Sequence, residues 1–346
     1  MKIVVYADNH FCERCSVIAG YGNSYSIRLE NQIKSLNWVE AYAEKIGASL
    51  VVCLGDFFDK PQLSSQELTA LHEINWSNLR HFFLVGNHES EQNDLQFSST
   101  MALALGDNFS IISNPTELDL AGTSICFLPY ITEYDRQPLS SYFDSKSKKL
   151  RILFSHNDLC GIQMGPVISR TGFNTDEFAD VCDICLNGHL HNGQKINDVI
   201  INLGNLTGRD FGEDATKYTH NIAIIDTEEL TVKYEENPYA FNFYKIDINN
   251  EADLTIFDKL KNNAVLSIKC DKNFIETVKK LLTSHADKIV DSRIITVYNY
   301  NKVADGDCVA DISDLVVDHH TKFAECCIEH LGDTPIVTAE LSEILK

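Results

Sequence analysis

The chain has 346 residues, 44% hydrophobic and 23% charged, with only 7 Pro and 17 Gly, which is ordinary globular composition with room for one large domain and something smaller. Its formal charge of −21 argues against a nonspecific grip on nucleic acid, and no apolar run approaches the ~18 residues needed to span a bilayer. The start runs from Met1-Lys2 straight into a strand-like segment with no visible signal peptide, and 11 scattered cysteines fit reduced thiols, so a cytoplasmic protein is expected.

Residues 3–7 predict a buried strand that ends in Asp8-Asn9-His10. A polar loop follows to about Ser26, long enough to be a functional lip. Ile33, Leu36, Val39, Ala43 and Ile46 then repeat at helical spacing, and Gly47 is a suitable stop. The next strand, residues 49–53, runs into Leu54-Gly55-Asp56-Phe57-Phe58-Asp59. Ser64-Ser65-Gln66-Glu67 has the form of a capping box and opens a helix to about Ile74. Residues 81–85 form another strand and deliver Gly86-Asn87-His88-Glu89.

Short strands over residues 109–113, 117–120 and 124–129 mark a change to antiparallel pairing, hence a mixed sheet or two sheets. Residues 151–155 lead into His156, and residues 184–187 into Gly188-His189-Leu190-His191. Strands at 199–203, 221–226 and 231–234 close this region near Asn237-Pro238. The chain then starts again: a strand at 241–248, a helix at 254–260, a strand at 264–270, an amphipathic segment at 274–282 and a strand-rich stretch at 288–300. Residues 301–308 read as a linker, and Ile312, Leu315, Val316, Phe323 and Leu331 mark one face of a helix. The expected division is therefore 1–240, 241–300 and 301–346. Residues 241–300 carry 9 Lys+Arg against 8 Asp+Glu, whereas residues 301–346 carry 3 against 10, so any charge-driven grip on substrate falls to the middle portion.

Five strand-like runs end in Asp8/His10, Asp56, Asn87/His88, His156 and His189/His191. Each motif alone is an ordinary turn or a satisfied histidine. Jointly they spell a dinuclear metal centre with Asp56 as the bridging candidate. Carboxylates, imidazoles and an amide oxygen suit Mn, Fe or Zn better than Mg or Ca. Two such ions clamp a phosphoryl group and activate water for in-line attack. His88, next to Asn87, is the candidate to protonate the leaving alkoxide, with Asp59 to orient or charge-balance it. Glu89 is expected to be a local hydrogen-bonding partner. Cys12/Cys15 and Cys182/Cys185 could form a four-thiolate zinc site only if the fold joins them, and the apolar setting of Cys185 favours plain thiols.

The series D-x-H, G-D-x-x-D, G-N-H-E, H and G-H-x-H, from Asp8 to His191, resembles the calcineurin-like metallophosphoesterase superfamily. That resemblance implies a four-layer αββα sandwich with ligands on strand-end loops. One ion would take Asp8, His10, Asp56 and His191, and the other Asp56, Asn87, His156 and His189. Gly204 to Glu213 further resembles the G-S-x-x-R-x-D-F-G-E segment of SbcD-type DNA nucleases, departing in Asn205 for Ser and in an Arg one position late. This second resemblance implies an Mn-dependent exo/endonuclease of DNA repair, recombination or replication, in a compact, phage-like version acting in the host cytoplasm. It implies a small α/β cap over 241–300 and a helical tail over 309–346 that docks on an SMC-like ATPase of SbcC type, and it leaves a homodimer open. The alternatives are a stand-alone phosphoesterase on a small phosphomonoester or cyclic nucleotide, and a non-catalytic adaptor of the ATPase.

Overall fold

The structure, a computed structural model, describes residues 1–297 except 15, 16, 19, 145–148, 165 and 166. The expected linker at 301–308, the expected apolar stripe from Ile312 to Leu331, residues 298–300 of the strand-rich stretch expected over 288–300, and Cys15 lie outside the described residues.

Strand β1 (Lys2–Tyr6) sends Ile3 and Val5 to one core and Val4 and Tyr6 to another, so it is buried on both faces. Helix α1 (Ile27–Lys45) starts where the Ser26 hydroxyl accepts the Leu29 N–H at 3.1 Å, and it buries Leu29, Ile33, Leu36, Val39 and Ala43. It ends one turn-residue before Gly47, whose φ of 65° permits the reversal into β2 (Leu50–Cys53). The capping box at Ser64 and Glu67 is present and opens α2 (Ser65–Leu71), which stops short of the expected Ile74. Strand β3 (Arg80–Leu84) follows.

A hairpin that the sequence did not announce comes next, β4 (Ser90–Glu91) and β5 (Asp94–Ser98). Gln92 and Asn93 turn it with φ of 53° and 62°. Then come β6 (Phe109–Ile112), β7 (Thr116–Leu120), β8 (Thr123–Leu128), β9 (Arg151–Ser155), the short pair β10 (Gln163–Met164) and β11 (Val167–Ile168), and the one-turn helix α3 (Phe178–Val181). Strands β12 (Ile184–Asn187), β13 (Gln194–Lys195), β14 (Ile200–Asn202), β15 (Asn221–Asp226) and β16 (Thr231–Glu236) complete the first 240 residues.

Among the described residues these strands form two six-stranded mixed sheets, in the orders β16-β15-β1-β2-β3-β6 and β13-β14-β12-β9-β8-β7. Ile3, Val5, Val52, Phe82 and Leu84 of the first sheet share one core with Ile125, Phe127, Ile152, Phe154 and Leu186 of the second. α1 and α2 cover the outer face of the first sheet. α3 and flanking loops cover the second, where Cys126, Cys182 and Cys185 are buried with Phe173 and Phe178. The result is the four-layer αββα sandwich, with one helical layer thin. Burial, with the neighbouring Cys182 adding to it, raises the Cys185 thiol well above its ordinary value, the behaviour of a core thiol. Cys12 sits in the loop beside the strand ends instead, its N–H bonded to Gln32.

Beyond residue 240, β17 (Asn242–Ile248), β18 (Ala264–Asp271) and β19 (Ile289–Val297) make a three-stranded parallel sheet. The amphipathic helix α4 (Ile275–Ser284) lies in the crossover between β18 and β19, and Val278, Leu281 and Leu282 join the core of this sheet. The segment expected as a helix at 254–260 is a 3-10 helix, Glu251–Lys259, capped by Asn250 and Asp253. Among the described residues no helix is long and apolar enough to cross a membrane.

Candidate metal centre

β1, β2 and β3 are parallel in one sheet, and β9 and β12 in the other, so the residues just after them gather at one end of the sandwich. The loops there bend sharply. Asp8, His10, Asp56 and His189 have φ of 50°, 47°, 48° and 74°, a conformation costly for side chains with a Cβ and held by the surrounding packing. Gly86 is needed for close approach, because a Cβ there would overlap the Asp56 carboxylate. Helix α1 fixes the first loop: the buried Gln32 amide donates to the Asn9 and His10 carbonyls, both at 2.7 Å.

The side chains converge as two adjoining groups. Asp8, His10 and His191 offer ligand atoms within 4.8 Å of one another, and so do Asp56, His156 and His189. Asp56 also groups with His10 and His88, so its carboxylate stands between the two sets. Its Oδ2 is 3.2 Å from His156 Nε2 and 4.0 Å from His10 Nε2. Asn87 Oδ1 lies 3.0 Å from His189 Nδ1 and 3.3 Å from His156 Nε2, while His10 Nε2 and His191 Nε2 are 3.0 Å apart. The His189 N–H donates to both Asp8 oxygens at 3.0 and 3.1 Å.

Four imidazoles share one arrangement. His10 Nδ1 meets Asp59 Oδ1 at 3.0 Å, His156 Nδ1 the Leu54 carbonyl at 2.8 Å, His189 Nε2 Asp158 Oδ1 at 3.0 Å, and His191 Nδ1 Glu213 Oε1 at 3.1 Å. A carbonyl or carboxylate oxygen can only accept, so each anchored nitrogen carries the proton. The other nitrogen of every ring then points inward, beside Asp8, Asp56 and the Asn87 oxygen, where it can coordinate a cation once it holds no proton. Such a gathering of acceptors fits divalent cations, and the outer carboxylates are the partners that orient metal-bound histidines.

The charges agree with this. Burial drives the His10 imidazole down to about 3, against the pull of Asp59, so it is neutral and able to coordinate. Burial opposes the charge on His156 as well, but the facing Asp56 carboxylate outweighs it and lifts the ring to about 9. Burial raises the Asp8 carboxyl. Burial also opposes charge on Asp56, but His156 wins and holds it below the usual carboxylate range. The proton that His156 holds against Asp56 thus stands where a cation would, and loading the cation would release it.

All the ligand candidates, Asp8, His10, Asp56, Asn87, His156, His189 and His191, are in this cluster. His88 stands at its rim, with its side chain 34% exposed, its N–H on Asp56 Oδ1 at 2.9 Å, and its ring 4.7 Å from that of His10. Asp59 was expected to serve His88. It lies nearer His10, with His88 Nδ1 at 3.7 Å from its carboxylate and 3.3 Å from its carbonyl. Glu89 is buried and local: its oxygens accept the Gly86 and Phe58 N–H groups at 2.9 and 3.0 Å, and burial lifts it to about 7. None of the cation-sized groupings among the described residues contains a cysteine.

Asp158 and Glu213 were missed by sequence reasoning as site residues. Asp158 follows His156 by two positions, a spacing that could have flagged it. Glu213 ends the segment already singled out from Gly204. Its Oε1 also accepts from Asn205 at 2.7 Å and its Oε2 from the Arg209 N–H at 2.8 Å. That segment rests on the three-stranded sheet: the Ala215 N–H bonds the Phe243 carbonyl at 2.9 Å, and Phe211 packs edge-on against Phe243, with the Arg293 guanidinium 4.7 Å above Phe211.

The sequence profile of calcineurin-like phosphoesterases matches residues 1–193. Among solved structures, the fold is similar to a dimetal phosphatase from Danio rerio (LOC 393393) at 14% identity and a TM-score of 0.44, over 68% of this chain and 96% of that one. It is similar to the protein TT1561 of Thermus thermophilus at 10% identity and a TM-score of 0.41, over 68% and 98%. It is also similar to the calcineurin-like phosphoesterase YfkN from Bacillus subtilis at 10% identity and a TM-score of 0.38, over 68% and 88%. No curated protein matches the chain.

Proposed function

The chain belongs to the calcineurin-like phosphoesterase family, whose members hydrolyse phosphoester bonds, and from that premise we propose that it is a DNA nuclease that cleaves phosphodiester bonds with two divalent ions, most suitably Mn. Asp8, His10, Asp56 and His191 would hold one ion, and Asp56, Asn87, His156 and His189 the other. When bound, such a pair polarises phosphoryl oxygens and makes water nucleophilic near neutral pH.

The protein's own groups divide the remaining work. Asp59, Asp158 and Glu213 keep His10, His189 and His191 turned toward the centre, so no reorganisation is needed when substrate arrives. His88 is the most exposed imidazole of the described site, at its rim, and lies beside Asp59. With Nδ1 turned to Asp59, its Nε2 can carry the proton that the departing alkoxide requires. The four-layer fold sets these groups on strand ends of two sheets packed against each other, which keeps them in place.

The observation that carries the nuclease reading is the segment from Gly204 to Glu213. Its last residue holds His191, its Arg209 reaches His10 at 3.4 Å, and its base is the three-stranded sheet beyond residue 240. A phosphoesterase for small substrates has no need of that extra sheet. We extend the proposal to an SMC-like ATPase partner bound through residues 309–346. Co-purification with and without those residues tests that extension.

The activity is tested with Mn-loaded protein offered linear duplex DNA, a cyclic nucleotide and a chromogenic phosphodiester side by side. Degradation of DNA is expected. Rapid hydrolysis of the cyclic nucleotide with intact DNA would transfer the assignment to a stand-alone phosphoesterase.

A further inference from the structure

Next to the metal centre, on its His10 side, lies a cavity of about 230 Å³ walled by His10, Arg14, Arg28, Asp59, Arg209 and Asp210. Three of the chain's eight arginines meet here, in a protein of net charge −21. Two carboxylates face them, and the pairing is incomplete. Arg209 Nη2 meets Asp59 at 3.1 Å, and its Nη1 is 3.4 Å from His10 Nε2, at the boundary with the centre. Arg28 is 2% exposed and donates to the Gly208 carbonyl, which fixes the turn that carries Arg209. Arg14 is 90% exposed, and its nearest carboxylate contact, to Glu13, is 3.5 Å. An exposed pair at that distance contributes little, so Arg14 is free to exchange Glu13 for another anion.

The chemistry that suits such a cavity is a phosphate group. Guanidinium groups offer paired N–H donors that match its oxygens, and Asp59 fixes Arg209 in orientation without consuming the whole fork. A phosphomonoester or cyclic nucleotide has a single phosphate, which the metal centre itself would hold, and it would leave this cavity unfilled. A nucleic-acid strand carries a further phosphate one nucleotide from the scissile bond. We propose, building on the nuclease reading above, that this cavity is the subsite for that flanking phosphate, with Arg209 as the inner contact and Arg14 as the outer one. Preference for a strand over a small phosphoester would then be set here, on a flank of the centre that gathers three arginines, and the general acidity of the surface would not prevent binding.

The test uses the full chain and two readouts. In the first, Mn-loaded wild type, Arg14→Gln and Arg209→Gln are compared on a dinucleoside monophosphate and on the same compound with an added 5′- or 3′-terminal phosphate. One terminal phosphate should raise wild-type kcat/KM roughly tenfold, the value of a charge-assisted contact, and each variant should lose most of that gain. In the second, metal-depleted protein is titrated with a fluorescent oligothymidylate at several salt concentrations. The slope of log K against log salt should become shallower by about 0.7 for each arginine removed. Arg14 is exposed, so its variant folds, and a melting curve checks this. A gain unchanged by Arg14→Gln, or equal salt slopes, overturns the subsite. If no nucleic acid is cleaved while the slopes still differ, the nuclease reading fails and the anion subsite stands.

Discussion

Replacing Glu213 by glutamine separates an outer carboxylate that tunes a metal site from one that only fills space. Glu213 is 2% exposed and its oxygens accept from three directions: His191 Nδ1 at 3.1 Å, Asn205 Nδ2 at 2.7 Å and the Arg209 N–H at 2.8 Å. Glutamine has one oxygen and one NH2 group. If its oxygen keeps His191 and Asn205, the NH2 faces the Arg209 N–H, donor against donor, and the reverse placement loses both His191 and Asn205. Either way at least one buried donor goes unmet, at a cost of about 1–3 kcal/mol, and the charge behind His191 is gone. With a shift of about 2–4 °C per kcal/mol for a chain somewhat smaller than this one, the variant should melt several degrees lower. Loss of such an outer partner typically weakens metal affinity about 10–100-fold, or roughly 1.4–2.8 kcal/mol. Equilibrium dialysis against graded Mn, followed by elemental analysis, reads the affinity apart from catalysis. A variant that binds Mn as tightly as wild type, whatever its melting temperature, would refute the role given to Glu213.

Asp56→Ala should lose both ions and all activity, because this carboxylate stands between the two ligand groups, and a variant retaining two ions per chain after dialysis would remove it from that position. His88→Gln should keep the metals and turn over ~10²–10⁴-fold more slowly, with metal content and kcat measured on the same preparation; a wild-type rate would assign the leaving-group proton elsewhere. His220 supplies a pH dependence outside the ligand set. Burial lowers its pKa, against the pull of Glu213, so the folded state binds fewer protons than the unfolded state as pH falls below about 6.5. The stability it contributes is therefore present above that value and is lost on acidification through the folded pKa. Denaturant unfolding of wild type and His220→Gln between about pH 5 and 7.5 should show a flatter profile for the variant, and parallel profiles would contradict this.

What could be read from the sequence was local. Each strand that feeds the metal centre is a short β-branched or aromatic run closed by Gly, Asp, Asn or His, and those signals sit within about ten residues of one another. The boundaries of β1, β2, β3, β9 and β12 fell within a residue or so of expectation for that reason. So did the start of α1 after Ser26, and the capping box at Ser64, where the hydrogen bond that begins the helix is made by the residue that announces it. The hairpin from Ser90 to Ser98 was not visible, since its strands are polar and its turn lacks glycine. Nor was the 3-10 form of 251–259 visible, because an apolar spacing does not distinguish i+3 from i+4 bonding over so short a run.

The tertiary structure alone decided which side chains stand behind the histidines. Asp59 turned to His10 rather than mainly to His88, Asp158 to His189 and Glu213 to His191, across separations of 49, 31 and 22 residues. No periodicity encodes such pairings, because they depend on how two sheets and a loop anchored on a third come together in space. The same holds for the three arginines of the lateral cavity, at positions 14, 28 and 209. A ligand at a strand end is announced by its own strand, whereas an acceptor that orients it is chosen by proximity after folding.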